Sequence, residues 1–156
     1  MKIHIIAFGK MDKKYLKEAT EDYLSRLKNF TNLQITELLE ETHGDSKKIG
    51  AVHEREVNDI IEKKLHDFEI ILLDNEAVNI GSPEFSKIVD NNKNMKNAKL
   101  AFIIGPSDGF SPRFKKNFHQ KLSFGNATFP HQLIRVMLLE QIYRAFKIIN
   151  NQKYHK

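Results

Sequence analysis

Short runs of Ile, Leu and Phe alternate along the chain with stretches whose apolar residues recur every three or four positions, and this alternation restricts the fold more than any other feature. Residues 2 to 8 (KIHIIAF), 33 to 39 (LQITELL), 69 to 74 (EIILLD) and 99 to 104 (KLAFII) are bounded by turn-forming or charged residues, as buried strands are. Residues 121 to 124 (KLSF) are a candidate fifth strand. After Asp12, a residue suited to cap a helix, Tyr15, Leu16, Ala19, Tyr23 and Leu27 follow helical spacing, and Ile49, Val52, Val57, Ile60, Ile61 and Leu65 do the same in the next interval. Ser82-Pro83 and Ser111-Pro112 each set a capping hydroxyl before a first-turn proline. The pattern predicts an α/β fold with a mainly parallel sheet covered on both faces. Ligands of such sheets sit beyond the carboxyl ends of strands, which directs attention to the loops at Asp74, Gly105 and Phe124.

At 156 residues the chain is long enough for one sizeable core and too short for two ordinary domains, so 1–156 is read as a single domain. Within it NNKNMKNAK, 91 to 99, reads as an exposed connection. A net charge of +5 and a pI near 9.3 favour an anionic partner such as nucleic acid, although solvated lysines on an inert surface give the same totals. The absence of cysteine excludes disulfides, thiol nucleophiles and thiolate metal sites, and fits the reducing cytoplasm. The first apolar run is too short for a membrane span or a secretory segment. Seven histidines are dispersed without ligand spacing, so no metal is expected.

Two loops and one helix carry chemistry. IIGPSDGFSP, 103 to 112, runs from a buried strand into a capped helix; Gly105 and Gly109 either let backbone approach a ligand or simply make the turn. It has neither the Walker A nor the dinucleotide-binding pattern. LSFGNATFPH, 122 to 131, has turn residues Gly125 and Asn126, a candidate cap in Thr128, and two phenylalanines, Phe124 and Phe129, that pack on the core or on a flat ligand. From Leu133 to Ile149 the final helix has more apolar residues than one sheet face can cover. The simplest supplier of a second apolar surface is another copy of the chain. His131 and Arg135 lie one turn apart near its start, and Glu140 with Arg144 forms an i,i+4 pair further on. The ending NQKYHK sets Tyr154 among Lys153, His155 and Lys156, either a solvated tail or a base-stacking ring among phosphate-binding cations.

Together these segments resemble the RlmH family of SPOUT-class RNA methyltransferases, which methylate N3 of a pseudouridine in large-subunit ribosomal RNA. The likeness runs from KIHIIAFGK through ILLD and IIGPSDGFSP, and is densest from LSF through TFPHQLIRVMLLEQIYRAFKI to YHK. It implies S-adenosylmethionine as donor, a homodimer with the site at its interface, a ribosomal substrate and a carboxy-terminal trefoil knot. By motif position it implies cofactor contacts from Leu73, Gly105, Phe124, Gly125, Asn126, Ala127, Thr128 and Phe129. It turns His131, Arg135, Arg144, Tyr154 and His155 toward RNA or the reacting base, with His131, Arg144, Tyr154 and His155 as the catalytic candidates and Arg135 as an RNA contact, to which the tail reading adds Lys153 and Lys156. The chain departs from the family at Pro106, where a second glycine is usual; proline removes a backbone donor and biases Gly105 toward extended geometry.

A sulfonium donor already activates the methyl group, leaving the protein to align donor carbon with ring nitrogen and exclude water. The N3 proton must still leave, with His131 or His155 as candidate base and an arginine to steady the developing anion. N3 lies on the pairing edge, so the base must be unpaired or flipped, which gives Tyr154 a stacking role. A non-catalytic ribosome-binding module with the same fold is the alternative that Pro106 favours, and a flavodoxin-like nucleotide-binding protein rests on fold analogy alone.

Overall fold

The computed structural model describes residues 1–41 and 43–154. Five strands, β1 (Lys2–Phe8), β2 (Asn32–Leu38), β3 (Glu69–Leu73), β4 (Lys99–Ile104) and β5 (Gln120–Leu122), form one sheet in the order β2-β1-β4-β3-β5. Every pairing is parallel. The helices are α1 (Lys14–Leu27), α2 (Ser46–Lys64), α3 (Ser82–Met95), α4 (Pro112–Lys115) and α5 (His131–Ile149). Parallel pairing requires every chain reversal to be a crossover, which the helical intervals supply.

Side chains alternate across the strands, so each face buries its own set. Ile3, Ile5 and Ala7 of β1, with Leu100, Phe102 and Ile104 of β4, meet Leu27 of α1, Phe85 and Val89 of α3, and Leu138, Leu139, Ile142 and Phe146 of α5. Ile6 and Phe8, with Ala101 and Ile103, meet Val57 of α2 and a phenylalanine ladder of Phe110, Phe114 and Phe118. Each fully buried Leu, Ile or Phe side chain contributes roughly 2 kcal/mol of transfer free energy, so both layers are needed to offset the entropy of ordering the chain.

Several local expectations are corrected. Lys13, not Asp12, precedes α1, and no side chain caps it; Tyr15 is 67% exposed while Thr20 takes a buried position. Ser111 caps α4 by accepting from the Phe114 amide, but Ser82 lies inside α3 after Gly81 and donates its hydroxyl to Gln141 of α5 at 2.8 Å. Tertiary packing of α3 on α5 thus claims a hydroxyl that local rules assign to a cap. Residues 91 to 95 continue α3 rather than forming an exposed connection, and Asn92 is fully buried, donating to Glu69 at 2.7 Å and to the Lys99 carbonyl at 3.2 Å.

That contact gives Glu69 a pH-dependent role. Burial alone raises its pKa, but hydrogen bonds from Lys96 and Asn92 and the Lys96 charge outweigh it, holding the carboxyl below its ordinary value. A depressed folded-state pKa stabilises the protein above the unfolded carboxylate pKa, about 4.3, and that stabilisation is lost as pH falls through the lowered value. Urea unfolding across the acid range should therefore show a gap between wild type and Glu69→Gln that is widest at neutral pH and closes on acidification. A gap that is flat with pH contradicts the assignment.

Candidate functional site

At the carboxyl edge of the sheet the loops after β3, β4 and β5 enclose a cavity of about 510 Å3. Its walls are largely apolar, with Leu72, Ile104, Phe110, Phe124, Phe129 and Ile134 around the middle. Polar groups gather at its margins: Asp74 and Lys115, and Ser107 and His131. A volume of this size with few polar groups is typical of a site for a small organic ligand.

Of the residues assigned to a cofactor by resemblance, Leu73, Gly105, Phe124, Gly125, Ala127, Thr128 and Phe129 line the cavity. Asn126 instead accepts a hydrogen bond from Asn79, tying the β5 loop to the β3 loop. The β5 loop is held in shape from within. The Gly125 amide donates to the Ser123 hydroxyl, which donates onward to the Gly125 carbonyl at 2.7 Å, and Gly125 has φ of +139°, which strongly favours a residue without Cβ. Thr128 does not cap α5, whose first residue follows Pro130 without a side-chain cap.

Gly105 is bare for a steric reason, since a Cβ there would meet the Phe110 ring at 3.2 Å. After Pro106 the chain turns, with the Gly109 amide donating to the Pro106 carbonyl at 2.9 Å and Gly109 at φ +71°. Gly105 and Pro106 both remain in the cavity wall.

His131 opens α5 and joins three segments. Its Nδ1 lies 3.2 Å from the Ser107 hydroxyl and its Nε2 lies 3.4 Å from Glu40. The other oxygen of Glu40 accepts from the Ser107 amide at 2.6 Å. Gly9, at φ +73°, makes room for this pairing, because a Cβ there would stand 3.1 Å from His131 Nε2 and 3.4 Å from Glu40.

Arg135, expected at an RNA phosphate, lies buried within the single chain. It is 1% exposed and its guanidinium donates to Glu37, to the Phe8 carbonyl at 3.2 Å and to the Gly9 carbonyl at 2.9 Å, while its Nε is buried without a partner. A guanidinium enclosed in this way ties the ends of β1 and β2 to α5.

Arg144 and Tyr154 stand together at the other end of α5. Arg144 donates to Glu140 at 2.9 Å through Nε, as the i,i+4 spacing predicts, and this hydrogen bond, opposed by partial burial, holds the guanidinium pKa above its ordinary value. Arg144 also lies 4.9 Å from the Tyr154 ring, which meets Tyr143 edge-on at 5.0 Å. Tyr23 completes the cluster, its phenol pushed up to about 12 by burial, then by hydrogen bonding to Tyr154 and by the nearby Glu140, with Arg26 opposing. Lys153 is exposed, whereas His155 and Lys156 lie outside the described residues. Because α5 rises 1.5 Å per residue, Arg144 is roughly 20 Å along the helix from His131. One chain does not bring the two groups together.

Sequence reasoning missed Glu37, Glu40 and Lys115. The two glutamates lie at the end of β2 with i,i+3 spacing and meet His131 and Arg135 at i,i+4 spacing, a complementary pattern visible only once β2 and α5 are known to meet. Lys115 bridges Asp74 and Glu76 at 2.9 Å each; burial lowers its pKa, but the hydrogen bonds and charges of the two carboxylates raise it further. Among the described residues no cluster of three or more metal-ligating side chains occurs, and no helix is long and apolar enough to cross a membrane.

Residues 1–155 match the family described as "Predicted SPOUT methyltransferase". Among curated proteins, "Ribosomal RNA large subunit methyltransferase H" of Mesoplasma florum is 48% identical over the full length of both chains. The fold is shared with a probable methylase family protein from Haemophilus influenzae, with TM-score 0.57 and 16% identity over 99% of this chain and 70% of the other. It is also shared with a Legionella pneumophila protein described as a methyltransferase in complex with SAM, with TM-score 0.54 and 15% identity over 94% of this chain and 66% of the other. With a full-length family match and near half of its residues identical to a full-length relative, the chain belongs to the SPOUT methyltransferases, within the ribosomal RNA large subunit methyltransferase H family.

Proposed function

We propose that the protein is a homodimeric, cytoplasmic enzyme that transfers a methyl group from S-adenosylmethionine to N3 of a pseudouridine in large-subunit ribosomal RNA, within the ribosome. The observation that carries this reading is the cavity at the strand ends, in a chain similar over its full length to a ribosomal RNA methyltransferase. Its dimensions and apolar walls fit the adenosine portion of the donor, and its polar margins fit the charged amino-acid portion. The relative with bound SAM supports the same donor here.

Bound in the cavity, S-adenosylmethionine supplies a methyl group already activated by positive sulfur. The β5 loop and the Gly105 turn, with Phe110, Phe124 and Phe129, would hold the donor, in the same cavity that Ser107 and His131 line. Arg144 and Tyr154 are too distant on the same chain to help, so the partner protomer supplies them. Half-covered Leu133, Val136, Met137 and Ile148 of α5, outside both core clusters, support that contact. Tyr154 then stacks on the unpaired base and Arg144 steadies negative charge on its ring. The β5 end pairs with the segment after β3, Ser123 with Val78 and Ile80 and the Leu122 carbonyl with the Asp74 amide; the knotted carboxy-terminal topology rests on the resemblance to the family.

Calorimetry with S-adenosylmethionine and labelled methyl transfer to ribosomal particles, followed by mapping of the modified nucleoside, tests the reading. Gly105→Val should weaken cofactor binding by about tenfold or more by pushing Phe110 into the cavity, equivalent to roughly 1.4 kcal/mol. Absence of binding by wild type at saturating cofactor contradicts the proposal. The ribosome-binding alternative, favoured by Pro106, predicts salt-sensitive RNA binding without transfer.

A further inference from the structure

We propose that Glu40, His131 and Ser107 form one proton-accepting unit at the mouth of the cavity, with Glu40 as its positioning residue; this rests on the methyltransferase reading above. Glu40 uses both oxygens, one for the Ser107 amide and one for His131 Nε2, and its side chain is only 12% exposed. A carboxylate accepts but does not donate, so in this unit His131 carries its ring proton on Nε2, the nitrogen that faces Glu40 across 3.4 Å. Nδ1 is then left as a lone-pair acceptor facing the Ser107 hydroxyl at 3.2 Å. The hydroxyl oxygen keeps its own lone pairs for a proton arriving from the cavity, which both Ser107 and His131 line.

The arrangement resolves a geometric problem in the reaction. Both nitrogens of His131 face protein groups, so in this unit it accepts the substrate proton through Ser107 rather than directly. As the bond from N3 to the methyl carbon forms, the carbon–sulfur bond breaks and its electron pair stays on sulfur. The N3 proton passes to the Ser107 oxygen while the serine proton passes to His131 Nδ1, leaving imidazolium beside the Glu40 carboxylate. The charge sum is unchanged, since one positive charge leaves the donor and one appears on His131. Groups facing the imidazole are Glu40 from the β2 end, Ser107 from the β4 loop and Gly9 from the β1 end, and Arg135 one turn along α5 is occupied by Glu37. No other carboxylate among these is available to replace Glu40.

The decisive measurements compare wild type with Glu40→Gln, Ser107→Ala and the double variant. Nitrogen spectra of the cofactor-free protein should show wild-type His131 in a single neutral tautomer protonated at Nε2. In Glu40→Gln the tautomers should mix, and the Ser107 amide should exchange with solvent faster. Each single variant should lose about 100-fold in turnover, with Glu40→Gln, outside the cavity lining, binding S-adenosylmethionine within about twofold of wild type, and the double variant should lose little more than the worse single. Losses that multiply, or single variants with wild-type turnover, overturn the unit while leaving the methyltransferase reading standing. A wild-type protein that binds cofactor but never transfers methyl overturns both. Ser107→Thr, which keeps the hydroxyl, should retain most of the turnover that Ser107→Ala loses, and failure to do so also counts against the relay.

Discussion

Replacing Arg135 by methionine should lower the free energy of unfolding by about 3 kcal/mol, the scale of breaking a buried ion pair from one side. Methionine fills much of the same volume, so the loss is electrostatic and hydrogen-bonding in origin rather than a cavity effect. Three acceptors lose their donor at once: Glu37 and the carbonyls of Phe8 and Gly9. Glu37 is 36% exposed and regains water, whereas the Phe8 carbonyl contact is buried, which keeps the expected cost in the middle of the range. For a chain of this length the melting temperature should fall by roughly 10 °C. Urea unfolding and a thermal scan measure both, and a change below about 0.5 kcal/mol, the usual size of a surface substitution, would mean that Arg135 is not the tie between β1, β2 and α5. RNA affinity is the contrasting readout. A buried tie predicts that stability falls more than the salt slope of binding changes.

Mixing two inactive variants should restore activity if the proposed site is composite. In Gly105→Trp the cavity is blocked in both protomers, and in Arg144→Ala the distant charge is lost from both. A mixed dimer has one site in which an intact cavity meets an intact Arg144, because each lesion falls into the other site. Co-expression with two affinity tags should therefore recover about half of the per-dimer turnover, against at least a tenfold loss in each parent dimer. A single-chain site makes the mixture as inactive as its components. The roughly 20 Å between His131 and Arg144 along one rigid helix is the physical reason to expect rescue.

Much of the architecture was legible because it depends on short-range periodicity. Ile3, Ile5 and Ala7 alternate with Ile6 and Phe8, and this two-residue rhythm survived as the two faces of the central strand. Caps were less legible. Ser111 acts locally and did as expected, while Ser82 has the same Ser-Pro signature and was drawn instead to Gln141, fifty-nine positions away. In the site, Gly105 and the 124–129 loop were found from their turn residues and by family resemblance, whereas Glu40 was invisible. Nothing near it in sequence distinguishes it from Glu41, and its meaning comes from partners at 107 and 131.

The order of amino acids by itself determined the alternation of strands and helices, the parallel sheet that this alternation demands, and the family to which the chain is similar. Those properties follow from steric and hydrophobic preferences acting over a few residues. Only the tertiary structure decided that Arg135 is a buried tie, that Glu40 reaches Ser107 and His131, and that His131 stands far from Arg144. Such pairings depend on which strand ends and helix turns are brought within hydrogen-bond reach, a property of the folded path that local spacing does not encode.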